Sequence, residues 1–344
     1  MKKSLLVLAI ASLAAGTATA QSSVTLSGIV DLSANSVQTG SSTIKTLDGG
    51  TGAYQLQSNR LIFRGVEDLG GGMSAGFWLE SPLDSDIGGA GASNGVSATP
   101  AFFSRRSTVS LMGKFGEIRL GRDYNPSNWN QYVEATGGNG FGGLLYMVLD
   151  GLGSGAKSVV RSNNSVTYHL PAGLGGLFGR VMVAAGENVT GQKYMGGLLG
   201  YATGPLSVSA AFGDTKTATP DDYKVFNVGV SYDFGVAKVY GLWDQAEWGA
   251  RKRTTYSIST SVPIGHHEFR AAYVRADASG AGTDANDGTK FALEYIYSLS
   301  KRTALYTQYG RVTNEGAATY ALAGSGGVAG QTQTGFGAGI RHAF

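Results

Sequence analysis

The chain has 344 residues, no cysteine, 54 glycines, 7 prolines and a formal net charge of +3. The near-neutral balance lacks the electrostatic footprint of a nucleic-acid binder, and the lack of cysteine excludes a disulfide-stapled secreted scaffold. A hydrophobic fraction of 42% excludes a bundle of transmembrane helices, but fits a barrel whose strands alternate lipid-facing and water-facing side chains.

The chain opens on a leader. Lys2 and Lys3 form a charged start, SLLVLAIASLAAG over 4–16 is an apolar core too short to span a bilayer, and Ala18-Thr19-Ala20 is a small-x-small cleavage site. Residues 1–20 therefore read as a signal peptide and 21–344 as one domain, whose charge falls from +3 to +1 without Lys2 and Lys3. No later apolar run is long enough for a transmembrane helix. A membrane could be crossed only by a closed barrel, because lipid tolerates no unpaired backbone.

Period-two strands follow, each with one apolar face. In the first, over 23–37, Val24, Leu26, Gly28, Val30, Leu32 and Ala34 face one way, and Thr25, Ser27, Asp31 and Ser33 face the other. A polar loop over 38–57 precedes strands at 59–68 and 73–84, and another loop covers 85–101. Further strands are expected at 103–113, 116–123, 164–170, 177–189, 194–202, 206–213, 223–234, 237–245, 254–262, 268–277, 290–299, 303–313 and 334–344. The count is about 16, and short turns alternate with longer loops, the layout of an all-β transmembrane antiparallel barrel. The last strand, TGFGAGIRHAF, ends the chain on Phe344 with Phe336, Ala338, Ile340 and His342 on the same face. It is expected to pair with the first strand and leave no free sheet edge.

Several stretches are similar to Gram-negative general porins of the beta-proteobacterial type. They are SSVTLSGIVDLS from Ser22, SNRLIFRGVEDLGGGMSAGFWLE from Ser58, RRSTVSLMGKFGEIRLGRDYNPSN from Arg105, NNSVTYHLP from Asn163, VGVSYDFGVAKVYG from Val228, SLSKRTALYTQYGRVTN from Ser298 and the terminal GIRHAF. Their order and spacing extend the resemblance over nearly the whole mature length. It implies a 16-stranded barrel in the outer membrane, a homotrimer surrounded by outer-membrane lipid, and passive diffusion of small hydrophilic solutes and inorganic ions. It also implies that the outer-membrane assembly machinery reads Phe344 as its signal. Outward small residues (Gly28, Ala34, Ala338) mark the first and last strands as a region where neighbours could pack.

The long unpatterned segment from Tyr124 to about Val160 is the place to look for function. By resemblance it is the third loop, folded inward to narrow the pore, with 139–143 (NGFGG) as its inward turn. The early strands supply Arg60, Arg64, Arg105, Arg106, Arg119, Arg122, Arg161 and Arg180. Arg60, Arg64, Arg106, Arg119 and Arg161 lie on the polar parity of their strands, and an arginine facing lipid at mid-depth costs about 2–4 kcal/mol. Arg105 and Arg122 share parity with apolar neighbours and call for a strand end or a bulge. By resemblance Arg60 and Arg105 match wall arginines that face the constriction, with Arg161 next. Asp123, Glu134 and Asp150 are the local counter-charges. The alternative is that these arginines are scattered wall residues paired with Glu67, Asp68, Glu80 or Glu117.

The expected function is a water-filled channel with a mild anion preference, because fixed charge of one sign admits the other. The alternatives are a substrate-selective channel with a solute site on the third loop and, more remotely, a secreted soluble adhesin or lectin. The four histidines, His169, His266, His267 and His342, have no metal-ligand spacing, and no nucleophile, base and orienter converge. The chain is read as a non-enzyme without metal or cofactor.

Overall fold

The computed structural model describes residues 23–50, 52, 54–91, 101–322 and 326–344. The expected signal peptide, and residues 92–100 of the loop expected at 85–101, lie outside the described residues.

Eighteen strand segments are hydrogen-bonded in chain order: β1 (Ser23–Thr39), β2 (Ser42–Asp48), β3 (Arg60–Gly70), β4 (Met73–Asp84), β5 (Gly89–Ala90), β6 (Arg106–Gly113), β7 (Gly116–Tyr124), β8 (Arg161–His169), β9 (Leu177–Ala184), β10 (Tyr194–Thr203), β11 (Leu206–Thr215), β12 (Tyr223–Asp233), β13 (Lys238–Trp248), β14 (Arg251–Ile264), β15 (His267–Ser279), β16 (Gly288–Ser298), β17 (Thr303–Asn314) and β18 (Gln333–Ala343). They make a closed antiparallel barrel of 16 staves. The difference of two arises because β5 is a two-residue flap on β4, and because β2 and β3 share one stave. β3 pairs with the first half of β1 (Ser23–Ile29) and β2 with its second half (Ser33–Thr39).

Closure occurs where the terminal alternation requires it. β1 and β18 pair from Ile29↔Ala343 to Thr39↔Gln333. One residue further, Phe344 and Gly28 exchange both backbone hydrogen bonds at 3.1 Å. The Phe344 ring lies over Gly28, where an added Cβ would come within 2.5 Å of its Cζ. Gly28 is thus a seat for the terminal ring, and its open space is not free for a neighbouring subunit.

Outward residues are large and apolar: Val24, Leu26, Val109, Val181, Leu199, Ile258 and Phe336 are each more than half exposed. In water such a surface would drive association, whereas around a barrel it is a lipid-facing belt. Inward residues are polar and buried, among them Asp31, Ser33, Asn35, Thr108, Asn227, Asp244 and Gln308. The alternation expected from the sequence thus sorts lipid from lumen.

Most turns on the rim shared by Ser23 and Phe344 are tight. The β3–β4 turn puts Gly70, Gly71 and Gly72 at φ of 77°, 62° and 79°, a left-handed run that only glycine adopts without cost. The opposite rim carries the long connections, with two exceptions among the described residues: β1 and β2 are joined through Gly40 and Ser41, and β13 and β14 run on to Trp248 and Arg251 and are joined through Gly249 and Ala250. The strands expected at 237–245 and 254–262 are therefore longer than their alternation indicated. Paired backbone continues there beyond the apolar outer face.

The segment expected as one polar loop at 38–57 is a different object. It includes β2, and residues 54–59 lie in the lumen, where Tyr54, Gln55 and Leu56 are buried. The Tyr54 carbonyl accepts from Ser33 Oγ at 3.1 Å and from Gln308 Nε2 at 2.5 Å. Asn59 Nδ2 donates to the Asp31 carbonyl at 2.8 Å, and the Gln57 amide donates to Asp31 Oδ2 at 2.9 Å.

Candidate functional site: a lumen constriction between loop and wall

The β7–β8 connection, residues 125–160, folds into the barrel as the third loop. It begins with a short helix, α1 (Pro126–Asn130), started by a proline in its first turn. From there the loop follows the inner wall strand by strand. Asn130 accepts from Ser209 of β11 at 2.6 Å and donates to Asn227 of β12 at 2.9 Å. Gln131 donates to Asp244 of β13 at 2.7 Å, and the Ala135 amide donates to Ser259 of β14 at 2.9 Å. The Gly143 carbonyl accepts from Lys290 of β16 at 2.7 Å, and the Phe141 amide donates to Gln308 of β17 at 3.0 Å. Six inward polar side chains on this wall are thus taken up by loop backbone or loop side chains.

Apolar packing completes the attachment. Phe141, Leu144, Met147 and Val148 are fully or almost fully buried against inward residues that include Leu242, Val274 and Val312. Phe141 fits where Gly310 and Gly335 carry no side chain; a Cβ at either would come within 2.9 Å of its atoms. Its ring meets Tyr54 edge-on at 6.0 Å, and the Gly140 amide donates to the Gly52 carbonyl at 3.0 Å. The lumen is thus narrowed by two inserted segments, the third loop and the stretch at 54–59. The second escaped the sequence reading because no alternation or motif separates a polar loop that points inward from one that points out.

Across from the loop stands a basic wall. Arg105 Nε donates to Glu80 Oε1 at 2.6 Å, and Arg60 Nη1 lies 3.5 Å from the same oxygen. Arg105 precedes β6, its amide bonded to the Glu80 carbonyl although Glu80 already faces Arg106 in the ladder. Two residues opposite one is a bulge, and it turns an arginine of outward parity into the lumen. Arg161 lies over the Tyr124 ring with Cζ 3.9 Å from the centroid. The Tyr124 hydroxyl accepts from Arg161 and, at 3.2 Å, from Arg105. Arg60, Arg105 and Arg161, with Tyr124, Trp129, Tyr132 and loop residues 136–139, line one recess of 260 Å³. Three guanidiniums against the single Glu80 carboxylate leave a surplus of two positive charges there.

The other expected site residues lie apart from this cluster. Arg106 stacks on Trp78 at 4.5 Å and reaches Asp123 at 3.6 Å, while Asp123 takes a 2.6 Å bond from Arg119. Arg64 lies over Trp78 at 5.5 Å. Arg122 sits beside the β7–β8 bulge, donating to the Ser104 carbonyl at 2.6 Å and to Asn163 at 2.7 Å, outside the recess. Glu134 turns into the loop, where both its oxygens accept from the Leu144 amide at 3.1 Å. Burial pushes its carboxyl up to about 7, against the opposing pull of that amide and of Lys290. Asp150 pairs with Arg253 of β14, on the loop-bearing wall. Neither Glu134 nor Asp150 touches the three recess arginines. Among the suggested wall partners, Glu80 holds Arg60 and Arg105, and Glu117 holds Arg119 at 2.9 Å. The sequence reading left out Glu80 as a site member and the aromatic trio; Trp129 and Tyr132, three residues apart at the loop's start, were the available signal.

A Gram-negative porin family model matches residues 5–317. Outer membrane porin protein 32 of Delftia acidovorans is 39% identical over the full length of both chains. An outer membrane porin protein of Bordetella pertussis is 29% identical, again over both full lengths. The solved anion-selective porin from Comamonas acidovorans superposes with a TM-score of 0.82 at 35% identity, covering 94% of this chain and all of that one. OmpT of Vibrio cholerae, at 17% identity and a TM-score of 0.69, shares the fold. The match of family model, full-length relatives and barrel geometry places this chain in the Gram-negative porin family.

Proposed function

We propose that the chain forms a water-filled diffusion channel of the outer membrane with a preference for anions, assembled as a homotrimer. The observation that carries the reading is the surplus of guanidinium groups around one narrow recess, opposite a loop whose two acids, Glu134 and Asp150, are engaged elsewhere. At an effective dielectric of about 20, an anion 4 Å from a unit charge gains about 4 kcal/mol, and a cation loses as much. Salt screens this over about 8 Å at physiological strength, so the preference is graded. The relative described as anion-selective supports the same sign. Small hydrophilic solutes and inorganic ions are the permeants, with outer-membrane lipid around the apolar belt.

Reconstitution in planar bilayers tests the channel. Stepwise currents that grow in proportion to salt are expected of general diffusion. Currents that saturate at millimolar solute would favour the substrate-selective alternative. The trimer is supported by an apolar outer depression at Val24, Ala75, Phe77 and Val109, on the early strands. A band of trimer mass that persists in SDS until boiling is expected; a monomer in mild detergent overturns the assembly. Phe344, seated on Gly28 at the seam, is proposed as the residue read by the assembly machinery.

A further inference from the structure

The recess is not lined by charge alone. Trp129 is half exposed inside an otherwise polar lumen, on the side of α1 away from Ser127 and Asn130, which are buried against the wall. Its ring is held from several sides: Arg180 lies over it at 4.7 Å, and Tyr124 and Tyr132 flank it at 5.7 and 6.2 Å. A large indole displayed to water costs free energy unless something covers it, and here it is stiffened in place. The same recess presents Arg60, Arg105 and Arg161. Within the cluster, the Nε groups of Arg60 and Arg161 are buried without a hydrogen-bond acceptor. A cationic edge beside a fixed aromatic face is an amphiphilic arrangement. Chloride or acetate can use only its first half.

We propose that the recess favours anions that carry a planar apolar group, the aromatic carboxylates, over hydrophilic anions of equal charge. The carboxylate lies toward the three guanidiniums and the ring lies against Trp129 and Tyr132. The proposal rests on the anion-preferring channel described above and adds a solute class to it. Aromatic packing is geometrically selective, so the ring adds affinity that charge does not supply. The association stays weak enough for release, as conduction requires.

The test uses the full channel in planar bilayers carrying chloride current, with benzoate, acetate or benzylammonium added to one side. Benzoate is expected to reduce the current at concentrations on the order of fivefold below acetate. Benzylammonium, with the same ring and the opposite charge, is expected to have no such effect. Trp129→Ala should bring benzoate down to the level of acetate, and Trp129→Phe should restore part of the difference. Chloride preference without any distinction between benzoate and acetate overturns this inference alone. A channel with no anion preference in KCl overturns the functional reading and this inference with it. Equal block by benzoate and benzylammonium would place the ring's contact away from the arginines and also overturns it.

Discussion

The two inner walls of the barrel are built from similar residues and used in opposite ways. On the wall from β11 to β17, cations and polar groups such as Lys290, Arg253, Asn227 and Gln308 are buried and bonded to the third loop. On the wall from β3 to β8, Arg60, Arg105 and Arg161 line one recess, Arg60 partly exposed and the other two buried, with Glu80 pairing Arg60 and Arg105 and Tyr124 taking Arg161. A lumen arginine thus has no fixed meaning. Where a loop carbonyl or loop acid covers it, it is structural. Where too few acids stand beside it, its charge is left over, and on our reading that surplus sets a field. Counting arginines along the strands cannot make that distinction; knowing where the loop lies can.

The largest effect that would break this comparison is on the wall from β3 to β8. Replacing Arg60, Arg105 and Arg161 together by Gln leaves Glu80 as the charge of the recess, so anion preference should disappear and turn weakly cationic. Ion permeability ratios measured in bilayers would show it. Unchanged ratios would mean that the field is set elsewhere, for instance by the Arg106, Asp123 and Arg119 ladder.

The next effect is on the loop. Phe141→Ala empties the space left by Gly310 and Gly335, a deletion of a kind that costs about 3–5 kcal/mol in a packed site. The barrel, closed by its ladder, should still form. The loop's grip should weaken, giving larger and noisier single-channel currents. Quiet currents of wild-type size would show that the polar contacts alone hold the loop.

Asn227→Ala is a smaller perturbation at the loop's entry. It removes a partner of Asn130 and of Asp244, and groups left unpaired in a buried site cost about 1–3 kcal/mol. Faster protease nicking within residues 125–160, with unchanged ion preference, is the expected outcome. A shift in ion preference instead would tie this part of the wall to the field.

How much of this was legible beforehand follows from the same contrast. The barrel was, because lipid on one side and water on the other force period-two alternation, and β1 and β18 pair as their patterns require. The grouping of Arg60, Arg105 and Arg161 was legible mainly through resemblance, since Arg105 reaches the lumen by a bulge that alternation cannot register. The roles of Glu134 and Asp150 were not. Both lie in a loop without periodicity, and their partners, Leu144 and Arg253, are fixed only by the path the loop takes. The inward course of residues 54–59 was hidden for the same reason.

The smallest expected effect concerns pH. Glu134 is raised to about 7 chiefly by burial. Its folded form therefore holds a proton more tightly than the unfolded chain does. The stabilisation is fully present below the unfolded value of 4.5 and is lost as pH rises through about 7. Current noise from loop motion should rise modestly between about pH 4 and about pH 8, round values on either side of that range. Glu134→Gln should flatten that dependence. A dependence that survives the substitution would assign it to another group.

The central claim is that the unbalanced arginines of one wall give the lumen its sign. The zero-current potential of the unmodified channel across a KCl gradient addresses it most directly. The predicted result is a potential of the sign set by chloride crossing faster than potassium, and one that shrinks as total salt is raised and screening increases. A potential of the opposite sign, set by potassium, would contradict the account.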